Sequence, residues 1–272
     1  AWGLPSCSNK RRPMSDIDLA GIRVLVTRPE HQAQTLIAAI EAANGVACAF
    51  PVIEITPRDR DDVQNDADRL PQPDIAVFVS ANAVAHGLGF AGDAPLAAVG
   101  PATAAAIAAA GRDVDIRPAQ GFDSESLLAE PAMNDVEGKA VRIVRGVGGR
   151  ELLGDTLRSR GASVDYLEVY ARRIPEVPAS RVNSLANEIA GGEIDVVTVM
   201  SVQSLDNLLR LLPGEIAAAL AKTPLVTPAT RVIKELMDRL PGCPATLAAG
   251  PGADEMVRAI ATLGPQSSGH HS

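Results

Sequence analysis

The chain contains the same order of short motifs twice, and this internal repeat limits its fold more than any other feature. Each copy has an apolar strand followed by a helix, then a buried strand that ends in serine, and later a Pro-Ala-Thr turn. The matching residues are Arg28 and Arg145, Ser80 and Ser201, and Thr103 and Thr230, which lie 117, 121 and 127 residues apart. A separation of domain length with a slow upward drift is typical of an old duplication. The alternative is chance similarity between two ordinary α/β segments.

Apolar runs of strand length alternate with helical segments along the chain. Buried strands are predicted at Ile22–Val26, Ile75–Val79, Leu96–Val99 and Val196–Met200, and a strand restarts the pattern at Val141. Strands separated by helices of about 10–15 residues are typical of βαβ units with a parallel sheet. The predicted fold class is therefore α/β, with two similar parallel-sheet domains and a cleft between them.

Two charged, alternating segments occupy equivalent places in the copies, at residues 50–56 and 167–174. If they pair with each other, they form a two-stranded β-ladder that acts as a hinge. The first β-α unit then packs with the C-terminal half of the chain. The predicted domains are 20–49 with 175–264 (domain 1, discontinuous) and 57–166 (domain 2), with 50–56 and 167–174 as linker and 1–19 and 265–272 as disordered tails.

The amino-acid composition limits the kinds of molecule that the chain is expected to bind. Of the 272 residues, 46% are apolar and only 3% are aromatic, which suits Ala/Val/Leu/Ile cores around parallel sheets. The net charge of −8 argues against nucleic acid as a partner. No run approaches the roughly 18 apolar residues that cross a bilayer, and the start of the chain does not match a secretory signal. Three dispersed cysteines (Cys7, Cys48, Cys243) favour a reducing cytosol and no structural metal.

Strand-to-helix turns with small hydroxyl residues recur in both copies, beginning at Ser80, Pro101, Ser201 and Pro228. Such turns leave free backbone N–H groups at a helix N-terminus, where carboxylates or phosphates bind. In parallel α/β folds these turns lie at the carboxyl ends of the strands. The serines and threonines could equally be plain helix caps, but their recurrence at equivalent points favours anion binding.

Strong cofactor and nucleophile motifs are missing from the sequence. The Gly-rich turn 146–151 has Glu151 where a dinucleotide site needs its third glycine, and it lacks the Lys-Ser/Thr pair of a phosphate loop. There is no Gly-x-Ser-x-Gly elbow, and the only interior histidines are His31 and His86. We expect no cofactor and no metal.

An ordered set of motifs between Ile22 and Leu263 resembles bacterial uroporphyrinogen-III synthase. The motifs are Leu25-Val26-Thr27-Arg28-Pro29, Phe78-Val79-Ser80-Ala81-Asn82-Ala83-Val84, Ala98-Val99-Gly100-Pro101-Ala102-Thr103-Ala104, Arg145-Gly146-Val147-Gly148-Gly149-Arg150-Glu151, Arg160-Gly161-Ala162, Val169-Tyr170-Ala171-Arg172 and Asp206-Asn207-Leu208. The resemblance implies two α/β domains joined by a two-stranded β-ladder. It also implies an enzyme that expels water from linear hydroxymethylbilane, inverts the last pyrrole ring and closes the macrocycle, without metal or cofactor.

The resemblance places a tyrosine that assists departure of the substrate hydroxyl at Tyr170, on the hinge segment and facing the cleft. A phenol stays protonated at neutral pH and can donate to a leaving oxygen. The alternative is a strand aromatic that packs against the linker, and Tyr166 is the natural control. Arg145 and Arg150 could neutralise substrate carboxylates or be solvated surface charges. The candidate substrate-binding residues are Arg28, Ser80, Asn82, Ala83, Thr103, Arg145, Gly146, Gly149, Ser201, Ser204, Thr227 and Thr230.

Two other classes of protein remain open at this point. A two-domain binding protein for a small anionic molecule would bind a ligand and form no product. A sugar-phosphate or nucleotide enzyme would need a general base and a phosphate-binding lysine near the Gly-rich turn, and the only nearby lysine is Lys139, before the strand. We expect a cytoplasmic monomer that acts on a small-molecule polycarboxylate, with no nucleic acid or membrane partner.

Overall fold

The structure is a computed structural model that describes residues 17–121, 123–149 and 151–264. The chain divides into two compact units. Unit 1 contains the described residues up to Glu54 and from Ile174 onward, and unit 2 runs from Ile55 to Arg173.

Strands and helices alternate, as the sequence predicted. The strands are β1 (Arg23–Val26), β2 (Val46–Ala49), β3 (Glu54–Pro57), β4 (Ile75–Phe78), β5 (Leu96–Ala98), β6 (Ala140–Gly146), β7 (Ser163–Arg173), β8 (Val196–Thr198), β9 (Leu225–Thr227) and β10 (Ala245–Leu247). The helices are α1 (Glu30–Ala42), α2 (Arg60–Asp68), α3 (Ala81–Gly87), α4 (Pro101–Ala109), α5 (Ser124–Leu128), α6 (Pro131–Asn134), α7 (Leu152–Ser159), α8 (Ala179–Ala190), α9 (Val202–Leu211), α10 (Ala217–Leu220), α11 (Thr230–Arg239) and α12 (Ala253–Ala261).

Each unit has a five-stranded sheet, and the two strand orders reveal how the repeat is arranged. The order is β10-β9-β8-β1-β2 in unit 1 and β3-β7-β6-β4-β5 in unit 2. The series β9-β8-β1-β2 therefore matches β5-β4-β6-β7, with the start of one sequence copy beside the end of the other. As predicted, β1 pairs in parallel with β8, with Val24 opposite Val196. The parallel pairs β4–β6 and β6–β7 make the same arrangement in unit 2.

Aliphatic side chains fill the cores, as the low aromatic content predicted. In unit 1, β1 and helices α1 and α12 enclose a cluster that includes Leu36, Ile40 and Ile260, all 0% exposed. In unit 2 both faces of the sheet are covered, one around Phe78 and Leu167 and the other around Val77. Every residue of the central strands β4 and β8 is buried, because helices cover both faces of a parallel sheet.

Local signals set several element ends. The Asp59 carboxylate accepts the N–H groups of Asp61 and Asp62 and begins α2. The Asp123 side chain caps α5 in the same way. Gly111 follows α4 with φ +78°, a left-handed conformation that favours glycine after a helix.

The structure differs from the predicted boundaries at two places. Residues 167–174 were expected to be a linker segment, but β7 is one continuous strand that pairs with β6 from Ser163 to Tyr170. β3 lies beside β7 in that sheet, and a hinge function for this pair stays a prediction. Leu19, assigned to the N-terminal tail, is fully buried because its apolar side chain packs in the unit 1 core, and its N–H donates to the Ala43 carbonyl at 2.7 Å. Residues 1–16 and 265–272 lie outside the described residues.

Candidate functional site

The candidate residues of unit 2 lie where parallel strands end. Ser80 follows β4, Gly100 follows β5, and Gly146 ends β6. The carboxyl ends of parallel strands meet at one edge of a sheet, so these turns share an edge. The Ser80 hydroxyl accepts the N–H of Ala83 at 3.1 Å, which makes Ser80 the N-cap of α3, as predicted.

Tyr170 joins this edge from β7. Its hydroxyl lies 3.1 Å from Ser80 Oγ and accepts a hydrogen bond from Arg172 Nη2 at 2.9 Å. The tyrosine is 0% exposed, whereas we expected it to face a cleft. The ring instead packs in the unit 2 core, with the His86 ring 6.3 Å away between centroids. The phenol is therefore held between a serine and a guanidinium rather than open to solvent.

Gly146 makes room for this ring. A Cβ at Gly146 would lie 2.6 Å from Cε2 and 3.1 Å from the hydroxyl of Tyr170, closer than real Cβ contacts allow. The glycine belongs to the site because of the space it leaves, and its backbone conformation is ordinary.

An irregularity in the β6–β7 pairing also directs Tyr170. Arg145 pairs with Glu168 and Gly146 with Tyr170, so Val169 is an extra residue on β7. Side chains alternate between faces in a regular strand, but a bulge re-aims those that follow it. Val169 and Tyr170 both pack in the same cluster, while Tyr166 packs against the cluster on the other face. The two tyrosines therefore have different surroundings although they are four residues apart.

Arg145 is neither a solvated surface charge nor a free cation. Its guanidinium stacks 3.7 Å from the centroid of the Tyr166 ring and forms ion pairs with Glu151 at 2.9 Å and Glu168 at 3.2 Å. The side chain is 9% exposed. Both terminal nitrogens of Arg145 thus already meet carboxylates of the protein. A role in substrate binding stays a prediction, and Arg150 lies outside the described residues.

The Tyr166 hydroxyl is buried and lies beside the Glu151 carboxylate. Burial is the main cause that raises the pKa of this phenol above its ordinary value, and the nearby Glu151 carboxylate adds to the effect. Tyr166 therefore keeps its proton at neutral pH.

The other candidates in unit 2 have mostly structural surroundings. Asn82 and Ala83 are buried in the first turn of α3. Thr103 is 4% exposed in α4, whose N-cap is Gly100 with Pro101 in the first turn. The Gly149 carbonyl accepts a hydrogen bond from Arg145 at 3.3 Å.

Unit 1 has the matching set of turns. Ser201 caps α9, since its hydroxyl accepts the N–H of Ser204 at 3.1 Å, and the two hydroxyls lie 2.9 Å apart. The buried Thr227 hydroxyl accepts the N–H of Ala229 at 3.2 Å, while Thr230 is exposed at the start of α11. Arg28 donates to the Pro251 carbonyl at 2.5 Å, and burial lowers the pKa of its guanidinium.

Arg172 is the residue of this site to which we assigned no role from the sequence. The available signal was its spacing, because residues two apart on a strand point to the same face. Its guanidinium lies 5.3 Å from the centre of the Tyr170 ring in addition to the hydrogen bond. Over the described ranges, there is no helix with the length and apolarity to cross a bilayer and no metal-binding group of three or more His, Cys, Asp or Glu.

Comparisons with known proteins agree with these features. The family model described as uroporphyrinogen-III synthase HemD matches residues 34–258. The uroporphyrinogen-III synthase of Escherichia coli K12 is 30% identical over 199 residues, which cover 70% of this chain and 80% of the relative. That of Salmonella typhimurium LT2 is 35% identical over 159 residues, which cover 55% of this chain and 64% of the relative.

Solved structures show the same fold. A mutant uroporphyrinogen-III synthase from the extremely thermophilic bacterium Thermus thermophilus has a TM-score of 0.59 at 16% identity and covers 89% of this chain and 98% of its own. The uroporphyrinogen-III synthetase of Helicobacter pylori 26695 has a TM-score of 0.59 at 13% identity and covers 89% and 99%. Because the family match covers most of the chain and the Escherichia coli relative is aligned over most of its length, the chain belongs to the uroporphyrinogen-III synthase HemD family of tetrapyrrole biosynthesis.

Proposed function

We propose that this chain is a cyclising lyase that converts hydroxymethylbilane to uroporphyrinogen III with inversion of the last pyrrole ring. The observation that carries the proposal is the buried phenol of Tyr170, which is hydrogen-bonded to the helix-cap serine at the carboxyl edge of the unit 2 sheet. A hydroxyl pair at that position supplies the weak acid that loss of water from a hydroxymethyl group needs. Family membership supports the substrate class.

The chemistry requires little beyond a positioned weak acid. Hydroxymethylbilane loses its hydroxyl readily and leaves a reactive azafulvene, which closes spontaneously to the wrong isomer. The main work of the protein is then to orient the chain of pyrroles so that the inverted closure is faster, and to stabilise the positive charge that develops. In this proposal Tyr170 is the source of the proton for the leaving oxygen.

The acetate and propionate groups of the substrate need several small anion sites. Helices α4 and α11 begin without a side-chain cap bond, and α9 begins at the Ser201 cap. Each start has the first-turn N–H groups and the positive end of the helix dipole that bind carboxylates. We propose each of these turns as a carboxylate site within its own unit, with Thr103, Ser201 and Thr230 beside them.

A sugar-phosphate or nucleotide enzyme is less well supported. The Gly-rich turn already meets a negative charge, because the Gly148 N–H donates to the Glu168 carboxylate at 3.3 Å. Lys139 lies before β6 and is engaged by Asp135, with its ammonium donating to the Asp135 carbonyl. A phosphate at this turn would have to displace a carboxylate without help from that lysine.

We also propose that the protein works as a monomer in a reducing cytosol, without nucleic acid. The free thiols of Cys48 and Cys243 support the reducing compartment, and the net charge of −8 supports the absence of nucleic acid.

The test is to incubate the protein with hydroxymethylbilane and to resolve the type I from the type III uroporphyrinogen. We expect mainly type III with the protein and mainly type I in a control without it. A product mixture equal to that of the control would contradict the proposed function, and binding without turnover would favour the anion-binding alternative.

A further inference from the structure

The hydrogen bonds around Tyr170 define a direction for its proton. A guanidinium can only donate, so the bond from Arg172 Nη2 makes the phenol oxygen an acceptor. The hydroxyl of Ser80 is also hydrogen-bonded to the phenol, with Oγ at 3.1 Å. We assign the phenol proton to this bond, because Tyr170 is buried and a buried hydroxyl needs an acceptor within reach.

The donors and acceptors of the Ser80 hydroxyl can be assigned in the same way. A hydroxyl has one proton to donate and two lone pairs to accept with. The N–H of Ala83 occupies one lone pair at 3.1 Å, and the Tyr170 hydroxyl occupies the other. The proton of Ser80 is then left to point away from both groups. Ser80 is partly exposed whereas Tyr170 is 0% exposed, so the serine is the member of the pair that a ligand can reach.

We propose that Ser80 donates the proton to the leaving oxygen and that Tyr170 in turn donates its own proton to Ser80. Arg172 is the positioning residue that orients the phenol. The inference rests on the proposed function and deepens it. It replaces direct contact between Tyr170 and the substrate with a two-hydroxyl relay.

The step balances within the protein and the substrate. The Ser80 proton goes to the substrate hydroxyl, the C–O bond breaks with its electron pair on oxygen, and water leaves. Ser80 takes the Tyr170 proton, and the resulting phenolate is held by the Arg172 guanidinium. Inversion requires that the new C–C bond forms at the substituted α-carbon of the last pyrrole, that the bond from this carbon to its methylene bridge then breaks, and that the released methylene bonds to the free α-carbon. That free α-carbon loses a proton, and this proton restores the phenol. No external oxidant, reductant or base is needed.

The chain offers a matched control for Arg172. Arg173 is its neighbour, carries the same charge and is also exposed, but no side-chain hydrogen bond or ion pair joins it to the other described residues. Arg172→Met, Arg172→Lys and Arg173→Met therefore separate the effect of the hydrogen bond from that of losing one surface charge.

The first measurement needs no substrate. The sequence has only two tyrosines, so in a Tyr166→Phe background a ¹³Cζ tyrosine label reports Tyr170 alone by NMR. We expect Arg172→Met to shift that resonance and Arg173→Met to leave it in place. An unmoved resonance in Arg172→Met would overturn the positioning role.

The second measurement is kinetic, with hydroxymethylbilane as substrate. Arg172→Met should lower kcat about tenfold, the effect of one hydrogen bond to a charged group, with KM unchanged, and Arg172→Lys should restore part of it. Ser80→Ala and Tyr170→Phe should each lower kcat, and the double variant should be no slower than the worse single variant, because the two groups act as one unit.

The kinetic and NMR results test the two-hydroxyl relay separately from the proposed function. If the losses of Ser80→Ala and Tyr170→Phe multiply, the two hydroxyls act independently and the relay is wrong. If Arg172→Met raises only KM, this arginine binds a substrate carboxylate instead. If the unmodified protein forms no type III product, the proposed function fails, and the NMR result still decides whether Arg172 orients Tyr170.

Discussion

The turns at Ser80 and Ser201 have the same local structure and different chemistry. Each serine ends a buried parallel strand and caps the next helix with a 3.1 Å hydrogen bond to a backbone N–H three residues on. In unit 2 the serine hydroxyl is also hydrogen-bonded to the Tyr170 phenol, whereas in unit 1 its side-chain partner among the described residues is Ser204, on the same helix. The cap therefore comes from the local motif, whereas the second hydrogen-bond partner of the serine comes from a neighbouring element of the fold.

The difference arises from two equivalent strands, β7 in unit 2 and β2 in unit 1. In unit 2, β7 runs on to Tyr170 and Arg172 beside the end of β6. In unit 1, β2 ends at Ala49 and the chain continues through an apolar segment at residues 50–53, Phe-Pro-Val-Ile, with no phenol for Ser201. We therefore expect the proton chemistry to belong to unit 2 and the turns of unit 1 to contribute binding alone.

The largest expected effect is that of Tyr170→Phe. As the source of the proton, its loss should cut turnover about ten- to a thousand-fold while the product stays mostly type III, because ring orientation does not depend on the phenol. Steady-state rates and separation of the two product isomers check this.

Tyr166→Phe is the control for Tyr170→Phe. It removes a hydroxyl that lies beside Glu151, on a ring that packs against the opposite face of the sheet from Tyr170. Turnover should therefore stay near that of the unmodified protein, and the melting temperature should change by no more than the loss of one hydrogen bond allows. If Tyr170→Phe kept full turnover, Tyr170 would not be the proton source, and the proposed chemical difference between unit 1 and unit 2 would be wrong. A shift to the type I product would give Tyr170 a role in orientation instead.

Gly146→Ala should have the next largest effect. Its Cβ would lie 2.6 Å from the Tyr170 ring and force the ring or the strand to move, at a cost of about 1–3 kcal/mol in the free energy of unfolding. Turnover should fall as well, because the phenol is displaced from Ser80. Thermal unfolding and kinetics measure both effects.

Gly214→Ala in unit 1 is the matched control, since a Cβ there meets no atom within 4 Å. Equal stabilities of the two alanine variants would mean that the ring has room, and the close packing inferred at Gly146 would be wrong.

The serines themselves provide the sharpest comparison. Ser80→Ala and Ser201→Ala each remove one helix cap, so each should lower the free energy of unfolding by about 1 kcal/mol. Only Ser80→Ala should also lower kcat, whereas Ser201→Ala, at a turn proposed to bind a substrate carboxylate, should change KM alone. Chemical denaturation and kinetics on the pair decide this, and an equal loss of turnover in both variants would contradict a division of labour between the units.

The smallest expected effect is on substrate binding by the threonines. Thr103→Val and Thr230→Val keep the side-chain volume and remove a hydroxyl, at about 0.5–1.5 kcal/mol for each hydrogen bond lost. KM should therefore rise about two- to tenfold in each single variant, and by the product of the two factors in the double variant. Because Thr103 is buried and Thr230 is exposed, the single variants show which unit contributes. An unchanged KM in the double variant would leave both threonines with structural roles only.

Much of the fold was predictable because its signals are local. The repeat, the βαβ alternation and the caps at Asp59, Ser80 and Ser201 follow from hydrophobic runs and from short hydroxyl or carboxyl side chains that bond to nearby N–H groups. The pairing of β1 with β8 also followed, since equivalent positions in two copies of one motif occupy equivalent places in two sheets. The buried Leu19 was missed because a single apolar residue outside a periodic segment carries no pattern.

The surroundings of the side chains were decided by the tertiary structure. Strand alternation alone puts Tyr166 and Tyr170 on one face, but the extra residue at Val169 turns Tyr170 to the opposite face and into the core. The sequence left open whether Arg145 binds a substrate carboxylate or is a solvated surface charge, and the pairing of β6 with β7 places Glu168 beside it. Which residues end strands and begin helices could be predicted from the sequence, because those preferences act over a few residues. The register between strands determined which of them meet, because it depends on packing between segments far apart in the chain.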